Sequence, residues 1–232
     1  MRLLTTTALS LSALTVLASS GCSDRPEPAT ASPASSTPAH RGGNAVKTSA
    51  PLSSAELNER LLNESDLGDG YTRKPQPLAR RDDVTVIGCP ALAKLGGDTT
   101  ASDNSLSFPR KAKASFTYTD SNSSEVSEEL YSDNAARLSK GIETVFDAMR
   151  SCPTYQVASG STIIDIGTAQ ATAPNLGDEQ WSQLLTYSVG GQRSVVKQTA
   201  IRAGTITVIV SGSPGQVDAH LEEALAKART AG

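Results

Sequence analysis

The residues able to do covalent or metal chemistry are few: three cysteines and two histidines in 232 residues. That inventory is poor for a metal centre or a Cys/His catalyst, and no cofactor is expected. Ser194 stands three residues before Lys197, the S-x-x-K spacing of serine acyl-enzyme chemistry, and Ser132-Asp133-Asn134 supplies S-D-N. The two motifs occur in reversed order, Ser194 falls in a strand pattern rather than at a helix start, and no K-T-G follows. They are read as coincidence, with Asp133 serving as a helix cap. His40 lies in a polar tract, and His220 falls on the polar face of the last helix with no Ser or Cys assignable to it. The acidic pairs Asp82-Asp83, Glu128-Glu129 and Glu222-Glu223 read as solvated faces. Adjacent acids in a strand point to opposite sides, so Glu128 and Glu129 cannot grip one bond. Trp181 and Tyr187 are the residues that could line a ligand groove, with burial in the core as the other reading. No enzyme is expected. An extracellular hydrolase using an unrecognised Ser is the alternative.

Charge narrows the partners. The net charge is -3, with 21 Lys and Arg against 24 Asp and Glu. Nucleic acid demands clustered cations to neutralise phosphates, and a polybasic membrane surface demands the same. Both are excluded. Aromatic residues are 4% of the chain, so the core must rest on aliphatic side chains.

The beginning of the chain reads as an address. Met1-Arg2 carries positive charge, Leu3 to Leu17 is apolar but diluted by Thr and Ser, and small residues Ala18-Ser19-Ser20-Gly21 precede Cys22. This is the layout of a secretory signal over residues 1–21, too short and hydroxyl-rich for a stable span. Gly21-Cys22 resembles the lipobox of bacterial lipoproteins, with Ser19 departing from the usual Leu. The resemblance implies that Cys22 is acylated and becomes the first mature residue, a palmitate-type anchor in the cell membrane with the protein on the extracellular face. Two or more acyl chains give stable anchoring where one does not. Residues 22–51 follow as a Pro-, Ala-, Ser- and Thr-rich tether. The tract has almost nothing apolar to offset its ordering entropy, and as a coil would span roughly 30 Å.

From Leu52 the pattern becomes that of one folded domain, residues 52–232. Ser53-x-x-Glu56 reads as a capping box before a helix with Leu57, Leu61 and Leu62 on one face, ended by Gly68-Asp69-Gly70. Residues 96–109 read as a loop. Lys113 to Thr119 alternates as a strand, and Glu125 to Tyr131 is a weaker one. Leu138, Ile142, Val145, Phe146 and Met149 mark a helix that Pro153 ends. Thr162 to Thr172, Trp181 to Val189, Ser194 to Arg202 and Thr205 to Val210 read as four strands. Gly190-Gly191 supplies a hairpin turn. Ser213-Pro214-Gly215-Gln216 then opens a helix with Val217, Leu221, Ala224, Leu225 and Ala228 as its buried stripe. The expected class is α+β: an antiparallel sheet, largely a meander, with helices on one face.

Cys89 and Cys152 are the pair left in the folded region. Outside the cell an even pair reads as a disulfide, two buried thiols being the other reading. Closing a loop of about 64 residues stabilises by roughly 4 kcal/mol in the chain-entropy model.

The arrangement resembles the extracellular sensor-like domain of the PknH-type mycobacterial serine/threonine kinases and related actinobacterial lipoproteins. The matching residues are Leu61-Leu62 before Asp66-Leu67-Gly68, then Cys89, the helix ending at Ser151-Cys152-Pro153, Gly177-Asp178-Glu179, and Ile201-Arg202-Ala203-Gly204 before the terminal helix. The resemblance covers residues 52–232. It implies an antiparallel sheet flanked by helices, a groove, and sensing or accessory binding at the envelope, with no catalytic residues to carry over. A second bridge of the kinase-linked members has no counterpart, since Thr154 stands near where one of its cysteines would fall. The expectation is a sensor-like module that binds a small apolar or cell-wall-derived ligand or an envelope protein.

Overall fold

The computed structural model describes residues 50–75, 84–96, 108–119 and 124–230. The signal segment 1–21, Cys22, nearly all of the tether, His40, Asp82-Asp83 and most of the 96–109 loop lie outside the described residues. The elements are α1 (Ser54–Glu59), α2 (Glu64–Leu67), β1 (Tyr71–Arg73), β2 (Val84–Ile87), α3 (Pro90–Gly96), β3 (Lys111–Tyr118), β4 (Glu125–Ser132), α4 (Ala135–Arg150), β5 (Thr154–Ser159), β6 (Thr162–Gln170), β7 (Glu179–Val189), β8 (Gln192–Ala203), β9 (Ile206–Gly212) and α5 (Pro214–Arg229).

Local chemistry sets most boundaries. The capping box at Ser53 forms: its hydroxyl accepts from Glu56 N, and the Glu56 carboxylate accepts from Ser53 N at 2.7 Å. The helix stops at Glu59 rather than running through Leu62. Asn63 competes by accepting from the N–H groups of Ser65 and Asp66, which starts α2. Leu61 and Leu62 are nonetheless buried, in the link between the two helices. Asn134, not Asp133, caps α4, its side chain accepting from Arg137 N at 2.9 Å. Asp133 lies just outside the helix, where it accepts from Asn134 N and pairs with Arg137. Pro214 sits at the start of α5 as expected, and Ser213 donates to Gln216 rather than capping the backbone.

The nine strands among the described residues all pair antiparallel in one sheet, in the order β1-β3-β4-β9-β8-β7-β6-β5-β2. Strands β5 to β9 form a continuous meander, and β4 joins the β3–β4 hairpin onto β9. Gly190 and Gly191 both have positive φ, the left-handed conformation that a tight hairpin between β7 and β8 needs. The α+β class, the antiparallel sheet and the single disulfide thus stand as read from the sequence. Cys89 and Cys152 are bonded, with their Cα atoms 5.7 Å apart.

The helices cover two faces, where the sequence reading placed them on one. Val208 and Val210 of β9 pack with Ile201, Leu57, Phe116, Val217 and Leu221 under α1, α2 and α5. Ile209 and Ala200 point the other way and meet Ile142 and Phe146 of α4. Tyr155, Val157, Ile164, Ile166 and Leu185 continue that second face around the disulfide. Successive side chains alternate across a sheet, so β8 and β9, buried on both sides, require a helix on each. Among the described residues, the cluster under α1, α2 and α5 takes its buried strand residues from β3, β4, β8 and β9, and β2, β5, β6 and β7 contribute none to it.

Candidate functional site

Trp181 stands near the start of β7, opposite Ala200 of β8, on the face that α4 covers. Its ring lies 6.4 Å from that of Phe146, centroid to centroid, and it is only half-buried. The reason is topological. β6 ends at Gln170, and past Ala171, whose N–H still donates to the Ser182 carbonyl, the chain leaves the sheet while β7 extends further. A groove of about 610 Å³ opens there, lined by Phe146, Arg150, Gln170, Gln180, Trp181 and Ser182 with the 171–173 segment. Arg150, the last residue of α4, is exposed, and its 3.5 Å approach to Asp147 leaves most of its five donors to solvent. An indole edge, an amide-bearing rim and a guanidinium in one groove suit a ligand with a flat or ring-shaped body and an anionic group.

Tyr187 does not share this groove. It lies on the same face of β7, six residues further on, roughly 20 Å along the strand. There it packs against the cluster of Tyr155, Leu185 and the disulfide. Burial pushes its phenol above the ordinary range, and that of Tyr155 up to about 12. Of the two aromatic candidates, Trp181 lines the groove, while Tyr187, also part-buried, packs against the disulfide cluster.

The residues weighed for catalysis are separated or occupied. Ser194 and Lys197 lie three apart in β8 and point to opposite faces; Lys197 pairs with Asp218 at 2.5 Å while Ser194 is exposed. The Ser132 hydroxyl accepts from Leu52 N and donates to the Thr205 carbonyl, both at 2.8 Å. His220 is half-buried rather than on an open face, and its Nε2 is 2.9 Å from the hydroxyl of Tyr71. Desolvation lowers its pKa. Glu129 pairs with Lys113 at 2.7 Å and accepts from Tyr131. Glu222 and Glu223 are exposed as expected.

Glu128 overturns the reading of that acidic pair as solvated. It is 1% exposed, beneath α1 and α2. One carboxylate oxygen accepts from Leu62 N at 2.6 Å, and the other is buried without a partner among the described residues. Desolvation raises its pKa to about 7, against the Leu62 hydrogen bond and the charges of Lys227 and Arg73, which lower it, and Asp66, which adds to the rise. No cluster of His, Cys, Asp and Glu suited to a metal ion occurs among the described residues.

No family model matches the chain, and no curated protein sequence matches it. Among solved structures, the chain is similar to the extracellular domain of PknH from Mycobacterium tuberculosis, with a TM-score of 0.58 and 15% identity over 77% of this chain and 97% of that one. An uncharacterized protein of Mycobacterium smegmatis, the Rv0999 ortholog, aligns at a TM-score of 0.38 and 10% identity, covering 72% of this chain and 93% of that one. At such identities the first likeness shows a shared fold and the second carries no argument. The antiparallel fold that the resemblance implies is the fold observed.

Proposed function

We propose that this chain is a lipid-anchored, extracellular, non-enzymatic binding module whose ligand lies in the Trp181 groove. The observation that carries the reading is the placing of the chain's single tryptophan: half-buried at an opening beside Arg150, not sealed in the core. An aromatic-poor protein that leaves its largest apolar side chain partly wet at a groove is giving up burial that would otherwise add to stability. The Cys89–Cys152 bond supports an oxidising location outside the cytosol. The similarity to an extracellular domain agrees with that location. Acyl chains on Cys22 would hold the module at the membrane while residues 22–51 let it reach outward. The ligand class that suits an indole next to a guanidinium is a sugar ring bearing a carboxylate, as in fragments of the cell wall.

Two measurements test the two halves of this reading. Metabolic labelling with a palmitate analogue is expected to mark the chain, and Cys22→Ser to abolish the label and release the protein into the medium. An unlabelled, still membrane-bound wild type would refute the anchor. The single tryptophan makes the groove its own probe: soluble disaccharide-peptide wall fragments should shift its fluorescence saturably, and Arg150→Glu should weaken that binding about tenfold or more. A spectrum unmoved by any fragment would refute the groove.

A further inference from the structure

On the α5 face, beyond the strands packed under α1, α2 and α5, described residues line a second groove of about 670 Å³, remote from Trp181 and on the other side of the sheet. Its floor follows from strand register. Gln156, Asp165, Ser188 and Arg193 pair in turn across β5, β6, β7 and β8, so their side chains form one row on one face. Gly167 pairs with Thr186 in the adjacent row. Asp165 accepts from Gln156 Nε2 at 2.8 Å, which fixes its carboxylate yet leaves other lone pairs to solvent. Arg193 is exposed.

Gly167 is the telling residue. A glycine in a strand interior weakens the strand and often marks a close approach of a ligand or another backbone. Here the backbone does not require it: its φ is not among the positive values. Nor does packing require it: an added Cβ would meet only Thr186 Cβ at 3.8 Å and the Pro153 carbonyl at 3.9 Å, ordinary contacts. What its missing side chain does is keep the groove floor open.

Asp165 and Arg193 are separated by one intervening strand, about 10 Å at the usual inter-strand spacing. That is close to the distance from the ammonium to the carboxylate of an extended tripeptide, at about 3.3 Å per residue. We propose that this groove binds a short zwitterionic peptide of about three residues, laid across the strands over Ser188 and beside Gly167. Its ammonium meets Asp165, its carboxylate meets Arg193, and its central amide meets Ser188 and Thr186. The assignment is independent of the Trp181 groove, on the opposite face.

Trialanine is the probe, titrated into the full chain and followed by backbone amide shifts. Saturable shifts centred on Gly167, Thr186 and Ser188 are expected, with the Trp181 indole signal unmoved. N-acetylation or C-terminal amidation of the peptide should each weaken binding about fivefold, the worth of an exposed ion pair. Gly167→Val should abolish binding while leaving the fold's spectrum intact, and the swap Asp165→Arg with Arg193→Asp should recover binding that Arg193→Glu loses. Equal binding of the doubly capped peptide, shifts centred elsewhere, or no saturable shift would each overturn the assignment.

Discussion

Glu128 shows how one side chain couples this fold to pH. Its pKa in the folded protein is about 7, raised chiefly by desolvation, against 4.5 for an ordinary glutamate. A carboxyl whose folded pKa is raised contributes stability that is fully present below pH 4.5 and is lost as pH rises through 7. The displacement corresponds to on the order of 3 kcal/mol between those limits. Glu179 works in the opposite sense: its hydrogen bond to Arg202 lowers its pKa, so its contribution is lost as pH falls. Glu128 should therefore lower stability as pH rises from 5 to 8, against His220, whose lowered pKa acts in the opposite sense, and Glu128→Gln should remove the Glu128 part, with the variant gaining most at pH 8. Urea denaturation at pH 5, 6.5 and 8 checks it; parallel pH curves for the two proteins would rule it out. The position was legible in the sequence. Val126, Glu128 and Leu130 alternate in β4, and Val126 and Leu130 could only be core, which puts Glu128 with them. The charge of the adjacent Glu129 masks that period. The Trp181 opening was legible only in part, since the aromatic is visible but the early end of β6 that exposes it depends on tertiary pairing.

At the scale of elements, what sequence periodicity shows depends on how many faces an element buries. The terminal helix has one buried stripe, and Val217, Leu221, Ala224, Leu225 and Ala228 are all buried as their spacing requires. The strand β3 likewise alternates, burying Ala112, Ala114 and Phe116. Strands β1 and β2, of three and four residues, sit at the two edges of the sheet and owe their form to the one neighbour each has. No window that short holds a periodic signal, and the seven residues of α3 are little longer. The strand β5 is hard to see for a different reason: Tyr155 and Val157 do alternate, but Cys152-Pro153 just before them carries the stronger signal of a helix stop. The division of helices between two faces had a mark in the sequence as well. In β8, Thr199, Ala200, Ile201 and Arg202 are consecutively buried, and a strand with no wet side needs cover above and below. Two polar residues in that run, Thr199 hydrogen-bonded to Ser182 and Arg202 paired with Asp178 and Glu179, masked the continuity.

Across the whole molecule, stability is divided unevenly, and the disulfide lies on the weaker side. The larger core gathers α1, α2 and α5 with β3, β4, β8 and β9, so elements from both ends of the domain hold it together. The core around the disulfide is a smaller set of aliphatic and tyrosine side chains, of which Cys89 and Cys152 are themselves members. The bond spans a sequence separation of 63 and ties the β2–α3 corner to the end of α4, at the edge of the sheet farthest from the larger core. The chain-entropy model assigns such a closure roughly 4 kcal/mol, a large share of the stability of an ordinary domain. Replacing both cysteines by serine should lower the unfolding free energy by about that amount. The two-core layout adds a spatial expectation. Amide exchange should quicken first in β2, α3 and β5, while β9 and α5 keep protection close to the limit set by global unfolding. Equal loss of protection in every strand would mean that the sheet transmits the damage from one edge to the other, and that the two cores unfold as one.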